Sequence, residues 1–526
     1  MNNKKVIIIG SGLSAYAAIL AAIDKNYQVT VLDVGERLPN SIANNVNKLN
    51  KANPEDISLQ LMKLSEEKNS NKLSNKKMPQ KTLFGSKYFY KELKLKGGQS
   101  VPYTEAFGGY SVAWGAAVLA PQPSDLEGFP AGFQNLEESL NFIANKISLP
   151  HFTDPLAEFF PNFGESSPSI NLSASQQRLL KNISRLNKVT SKNICVSGQA
   201  RVATKANGDR ACQYCGMCSH GCVFNSIFSS EREISNLVSS KIIDYQSQKK
   251  VVNIFENSDA TKVIAINSEG GTEEFLADLV FVAAGAINST KIAMAMKQSK
   301  EKIFLQKTGG FVRPYFSMKK NGFDWPDQNT QSNIFLEIRN PRISKYWIHS
   351  QISTPNEIVV QGLGFLNTNF LTFILTPLRK ILLSHLVIVM TNLHSNDGPF
   401  YKLDLSDVAN ALDLSGELVI SKDCRKIERK IDRYLITKFF RVGMIALPFG
   451  RKGITNGPGY HLGGSLKMGG KGTFGTDSLG RLSGSKKVHF VDTSVLPSIP
   501  ATTIGFLTMA NAHRIVKTRL STETFE

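Results

Sequence analysis

Four cysteines, one histidine and one aspartate carry most of the chemistry legible in this sequence of 526 residues. The cysteines stand in ACQYCGMCSHGC, residues 211–222, as Cys212, Cys215, Cys218 and Cys222, spaced C-x2-C-x2-C-x3-C. Thiolates are soft ligands, and three readings are open. The four are unliganded thiols, or a zinc site with His220 as a further ligand, or the seat of an iron–sulfur cluster. The ligand pairs stand closer together than zinc sites usually have them. The spacing is that of bacterial ferredoxins, whose fourth cysteine ligates the other cluster of a pair. A single run therefore offers three nearby ligands, which suits a three-iron cluster or calls for a fourth ligand from Cys195 or Cys424. Val223 stands where ferredoxins carry proline. The histidine, His461, lies in YHLGGSLKMG, and its imidazole can take a proton near neutral pH. The aspartate, Asp33, follows Gly10 by 23 residues, where a carboxylate can accept both hydroxyls of a ribose.

Those groups need elements to hold them. The N-terminal run VIIIGSG reads as strand and glycine turn, followed by a helix to about Lys25 and a second strand, Gln28 to Leu32. That is a dinucleotide-binding βαβ unit, with Gly10, Gly12 and Ala15 as its G-x-G-x-x-A loop. Glycine lets the backbone approach a pyrophosphate, and the helix N-terminus offers N–H groups and a positive dipole. Residues 40–95 are polar and lysine-rich and read as an exposed excursion. Gly108 to Leu126, GGYSVAWGAAVLAPQPSDL, is a tight glycine loop around Trp114, and residues 127–186 hold helical stretches. Val251 to Asn267 alternates like a pair of strands, and ADLVFVAAG, residues 277–285, is a buried strand before another helix. Residues 300–450 are rich in aromatic and β-branched runs broken by Asn, Asp and Pro, which fits an antiparallel sheet with helices. The C-terminal stretch reads as turn, strand, loop and helix.

Composition narrows the classes. Lys and Arg number 62 against 43 Asp and Glu, a net charge of +19, which favours acidic or phosphate-bearing partners. No basic run is interleaved with aromatics, so nucleic acid is not expected. Without an export signal, a cytoplasmic setting is expected. No segment reads as a membrane span. Phe370, Phe373, Ile374, Leu378, Ile381, Leu382 and Leu386 form a helical stripe, which predicts a helix packed in the substrate domain. The other reading is a helix lying peripherally on a membrane.

Five motifs together resemble the glucose–methanol–choline family of flavoprotein oxidoreductases. They are GSGLSA…VLD, GGYSVAW, FVAAGAINS, HLGGSLKMG and DSLGRL…VHFVDTSVLPSIPATTI, in family order. The resemblance implies an α/β fold: a discontinuous FAD-binding domain, residues 1–300 and 452–526, around an α+β substrate-binding domain, residues 301–451. It implies bound FAD, with Gly10, Gly12 and Ala15 at the pyrophosphate and Asp33 at the adenosine ribose. Gly109, Ser111 and Trp114 would flank the flavin, and Asp492 the ribityl chain or pyrophosphate. His461 stands at the family's active-site histidine and is the implied base, taking a proton from an alcohol as hydride passes to flavin. A second His or Asn is replaced by Thr503, whose hydroxyl can hydrogen-bond an alkoxide but is no strong base. The expected activity is oxidation of a CH–OH group of an alcohol or sugar. Electrons would pass to oxygen or to an electron-transfer partner, the latter by way of any iron–sulfur cluster. A flavin-binding subunit without catalysis is the competing class.

Overall fold

The computed structural model describes residues 4–50, 91–299, 301–362, 370–405, 414–448, 450–455 and 459–522. Most of the excursion expected at 40–95 lies outside these; within them, Asn40–Leu49 is helical and Lys91–Lys94 begins a short hairpin.

β1 (Lys5–Ile9) is buried from Val6 onward, as an apolar, β-branched strand must be when both its faces are covered. It pairs in parallel with β2 (Gln28–Leu32) on one side and with Leu279–Val282 on the other. Asp244–Gln246 and Val488–Phe490 complete a five-stranded parallel sheet. The crossover between β1 and β2 is α1 (Leu13–Asp24), whose Ala15, Ala17, Ala18, Ala21 and Ala22 are buried. These small side chains let α1 lie close to the helix Gly505–Thr522. Residues from both ends of the chain thus share one core. Lys250–Glu256 and Thr261–Ile266 pair antiparallel as expected, and Thr272–Ala277 adds a third strand.

The second unit is an eight-stranded antiparallel sheet centred on Gly309–Ser317, Leu386–Leu393, Ile348–Ser353 and Ile334–Arg339. Period-two alternation gives it two working faces. Phe311, Tyr315, Ile334, Ile348 and Val389 pack under the helix Lys422–Phe440, which contributes Ile431, Leu435 and Phe439. Arg313 makes paired bonds of 2.9 and 2.7 Å to Asp432 on that helix, and Arg451 adds another of 3.0 Å. The opposite face, with Val312, Pro314, Gln351, Ser353, Ile388 and Met390, forms the wall of a large cavity.

Two differences from expectation have physical reasons. The division at residue 301 is crossed: Ile194–Gln199 pairs with Ile334–Arg339 in the large sheet, a register no local pattern encodes. Ile303–Lys307 stays out of that sheet, pairing with Phe400–Leu405 and with Leu462–Gly463, and its core belongs with the parallel sheet. The apolar stripe does form a helix, Phe370–His385, but its described part is not packed inward. Leu378, Ile381 and Leu382 are 64%, 55% and 43% exposed, while Leu383, off the stripe, is the buried residue. The side chains of Phe370, Phe373 and Ile374 lie outside the described residues, and Leu386 already begins a strand.

Candidate active site

One cavity of about 1040 Å³ lies between the parallel sheet and the large antiparallel sheet. Three helices begin on it: α1 at Gly12, Ala286–Lys297 at Gly285, and Gly505–Thr522 at Gly505. The first two have no side-chain N-cap bond, so their first N–H groups are left for a ligand. Helix N-termini converging on one volume make a site for an anionic group such as a diphosphate.

Gly10 needs its glycine for the backbone: its φ is +104°, and an added Cβ would stand 2.5 Å from Ala283 O. Gly12 needs it for space. An added Cβ there meets only Gly109 Cα, at 3.8 Å, and would project into the open cradle. Asp33, at the end of β2, lines the cavity and is almost fully buried. Ser11 Oγ and Tyr245 Oη both donate to its Oδ2, the latter at 3.0 Å. Burial still pushes its carboxyl up to about 7. Asp492 also lines the cavity, but its oxygens accept from Gly285 N, Ser289 Oγ and Ser494 N at 2.5–2.8 Å. It holds the start of one of the three helices. Gly109 and Trp114 line the cavity as well, and Trp114 Nε1 donates to Phe228 O at 2.8 Å.

Two residues of the expected set stand back from the cavity. Ala15 is fully buried in α1, where it serves close helix packing and not the diphosphate. Ser111 is buried too, its hydroxyl bonded to Gly108 O at 2.6 Å and Ser230 Oγ at 2.8 Å. It shapes the glycine loop behind the wall.

His461 and Thr503 both face the cavity. Among the described residues nothing hydrogen-bonds the His461 imidazole; only its backbone carbonyl is engaged, by Thr308 N at 3.3 Å. Burial, with a smaller push from His349, lowers its pKa to about 4, so the ring is neutral at ordinary pH, with a nitrogen lone pair able to accept a proton. Thr503 Oγ1 accepts from Leu119 N at 2.9 Å, which leaves its hydrogen to donate.

Sequence reasoning missed the polar wall opposite. Ser332 Oγ donates to Gln351 Oε1 at 2.5 Å, and both line the cavity. Gln351 Nε2 lies 3.1 Å from His349 Nε2, and His349 Nδ1 lies 2.5 Å from Glu337 Oε1. Glu337 and His349 are wholly buried and stand directly opposite each other in the sheet.

The cysteine run folds beside the same cavity, and Cys218 lines it. Asn329 Nδ2, Thr330 N and Ser226 N approach Cys212, Cys218 and Cys222 Sγ at 3.6, 3.4 and 3.3 Å. Among the described residues none of the four is joined in a disulfide. Burial and mutual repulsion push Cys215 up to about 12 and Cys218 well above the ordinary thiol range. Among the described residues no group of three or more His, Cys, Asp and Glu is arranged to hold a metal ion. Cys195 packs in the core under the helix Lys422–Phe440, and Cys424 is buried on that helix, so neither joins the run.

A parallel sheet with a glycine cradle, joined through one cavity to an antiparallel sheet, defines a two-domain fold built on a dinucleotide-binding unit. Solved structures agree. The chain superposes on pyridoxine 4-oxidase from Mesorbium loti with a TM-score of 0.62 at 14% identity, covering 98% of this chain and 99% of that one. It superposes on an FAD-dependent oxidoreductase from Chaetomium thermophilum with a TM-score of 0.62 at 12% identity, covering 99% and 100%. At such identities the likeness is one of fold, and it is consistent with the resemblance drawn from the motifs. No protein family and no curated protein matches the sequence.

Proposed function

We propose that the protein is an FAD-dependent oxidoreductase that oxidises a CH–OH group of a small alcohol or sugar-type substrate. The observation that carries this reading is one cavity that brings together a dinucleotide cradle, the His461 imidazole and the polar side chains of the large sheet. The residues fit FAD. The helix starts at Gly12 and Gly285 would take its diphosphate, Asp33 its adenosine ribose after exchanging the Tyr245 bond, and Gly109 and Trp114 would flank its ring system. When bound, the flavin supplies the acceptor for a hydride. His461, neutral and unencumbered, takes the hydroxyl proton at a ring nitrogen. Thr503 donates to the developing alkoxide, and Gln351 and Ser332 orient the rest of the substrate.

The test is spectroscopic. Purified or FAD-reconstituted protein should hold about one flavin per chain, and a suitable alcohol should bleach it under anaerobic conditions. Protein that binds no FAD overturns the reading, and bound flavin that no alcohol reduces leaves a flavin-binding subunit. Peroxide formed during turnover in air distinguishes an oxidase, the activity in the name of the Mesorbium protein, from a dehydrogenase using another acceptor.

The cysteine run supports a second, separate element of the reading: an iron–sulfur cluster. Its support is the donor set of four thiols at the spacing of bacterial ferredoxins. Against it stands the absence of a metal-ready arrangement among the described residues. Iron and labile sulfide measured after anaerobic purification decide it: about three or four irons per chain with a cluster, none without.

A further inference from the structure

We propose that one end of the large antiparallel sheet docks on an anionic lipid surface. Six large apolar side chains stand in water there: Met318, Leu378, Ile381, Leu382, Phe440 and Ile445, each 43–67% exposed. Hydrogen bonds bring their three segments together. Met318 N donates to Gly443 O at 2.7 Å, and Gly443 N donates to Phe440 O at 3.0 Å. Ile445 pairs with Phe316 at the end of the sheet. Asn321 N donates to Ser384 O at 2.9 Å, and His385 Nδ1 lies 2.7 Å from Ser317 O. The helix turns that carry Leu378, Ile381 and Leu382 therefore sit beside Met318.

Charge selects the occupant. Residues 315–323, 377–386 and 433–446 hold seven Lys and Arg, Lys319, Lys320 and Lys380 among them, and no Asp or Glu. A second copy of this chain would set seven positive charges against seven, and protein interfaces are poor in lysine. Apolar tips ringed by Lys and Arg suit a lipid surface: the tips enter the boundary of the acyl chains, and the cations meet lipid phosphates. The patch is continuous with the cavity. Val312 and Pro314 line the cavity, the same face of their strand runs on to Phe316, and Met318 follows just past the strand's end. Docking would bring that end of the cavity wall to the membrane. None of this depends on the redox reading above.

Vesicle flotation of the full chain tests it. The protein should float with vesicles of phosphatidylcholine and phosphatidylglycerol, stay behind with phosphatidylcholine alone, and be released by salt. Lys320→Ala should weaken partitioning about fivefold. Leu378→Glu with Ile381→Glu should abolish it while the melting temperature stays that of the parent, and Phe440→Glu provides the same test on a different element. Failure of the wild type to float with anionic vesicles at low salt overturns the proposal. So does a Glu variant that floats like the wild type, or a wild-type dimer that the Glu variants convert to monomer.

Discussion

His461 was legible as a residue because the glycine-dense stretch that holds it, HLGGSLKMG, resembles the family's active-site histidine loop. Its replacement is the sharpest test at this scale. His461→Ala should retain its flavin spectrum and slow flavin reduction by about 10² to 10⁴, the usual worth of a general base. The pH dependence has a definite sign. A base works unprotonated, and burial has lowered this one to about 4. Activity on the acid side should therefore hold well below the ordinary histidine pKa and fall only as the pH approaches about 4. A fall centred near about 6.5 would mean a solvated histidine or a different base. Glu337 and His349 could not have been found this way. They lie twelve positions apart in two strands, and only the register that sets Glu337 against His349 makes them a pair. The cysteines teach the reverse lesson. Their spacing is conspicuous in sequence, yet ligand spacing along the chain does not fix where sulfur atoms point.

Among elements, the βαβ unit was readable from end to end, because a β-branched run, a glycine turn and an alanine-rich helix each have a local cause. The two glycines of its loop can be separated by experiment. Gly10→Ala meets a backbone oxygen at a positive φ and should destabilise the fold by about 1–3 kcal/mol in urea titration. Gly12→Val meets open space, so it should fold normally and emerge without flavin. Stoichiometric flavin in Gly12→Val would remove the diphosphate from this cradle. The large sheet was readable in kind but not in membership, since the pairing of Ile194–Gln199 with Ile334–Arg339 spans some 140 residues of intervening chain. The stripe on Phe370–His385 was misread for a general reason: periodicity says that a helix has an apolar face and is silent on what covers it. The opposing helix, Lys422–Phe440, is held by charge as well as by packing. Asp432→Ala would strand Arg313 in a buried site, while Arg451 keeps its pair with Glu428, and should cost about 3–5 kcal/mol, read as a lowered urea midpoint.

For the molecule as a whole, the cavity ties together residues that begin near position 9 and end near position 508. FAD should therefore protect both ends of the chain against proteolysis together, and at about 100 times its dissociation constant it should add about 2.7 kcal/mol to the stability of the native state. Protection confined to the N-terminal half would break the link between the two ends. The same connection has a consequence in time. The strand Val488–Phe490 and the helix on α1 are the last parts of the parallel core that a ribosome releases. At about 5–20 residues per second, roughly half a minute to a minute and a half separates the emergence of β1 from theirs. Once made, Leu279–Val282 keeps an open sheet edge and α1 an uncovered apolar face until those last parts emerge, by which time every strand of the eight-stranded sheet has been made. The nascent protein therefore makes the large antiparallel sheet before it can complete the parallel one, and β1 waits longer than the other strands of its sheet to be covered.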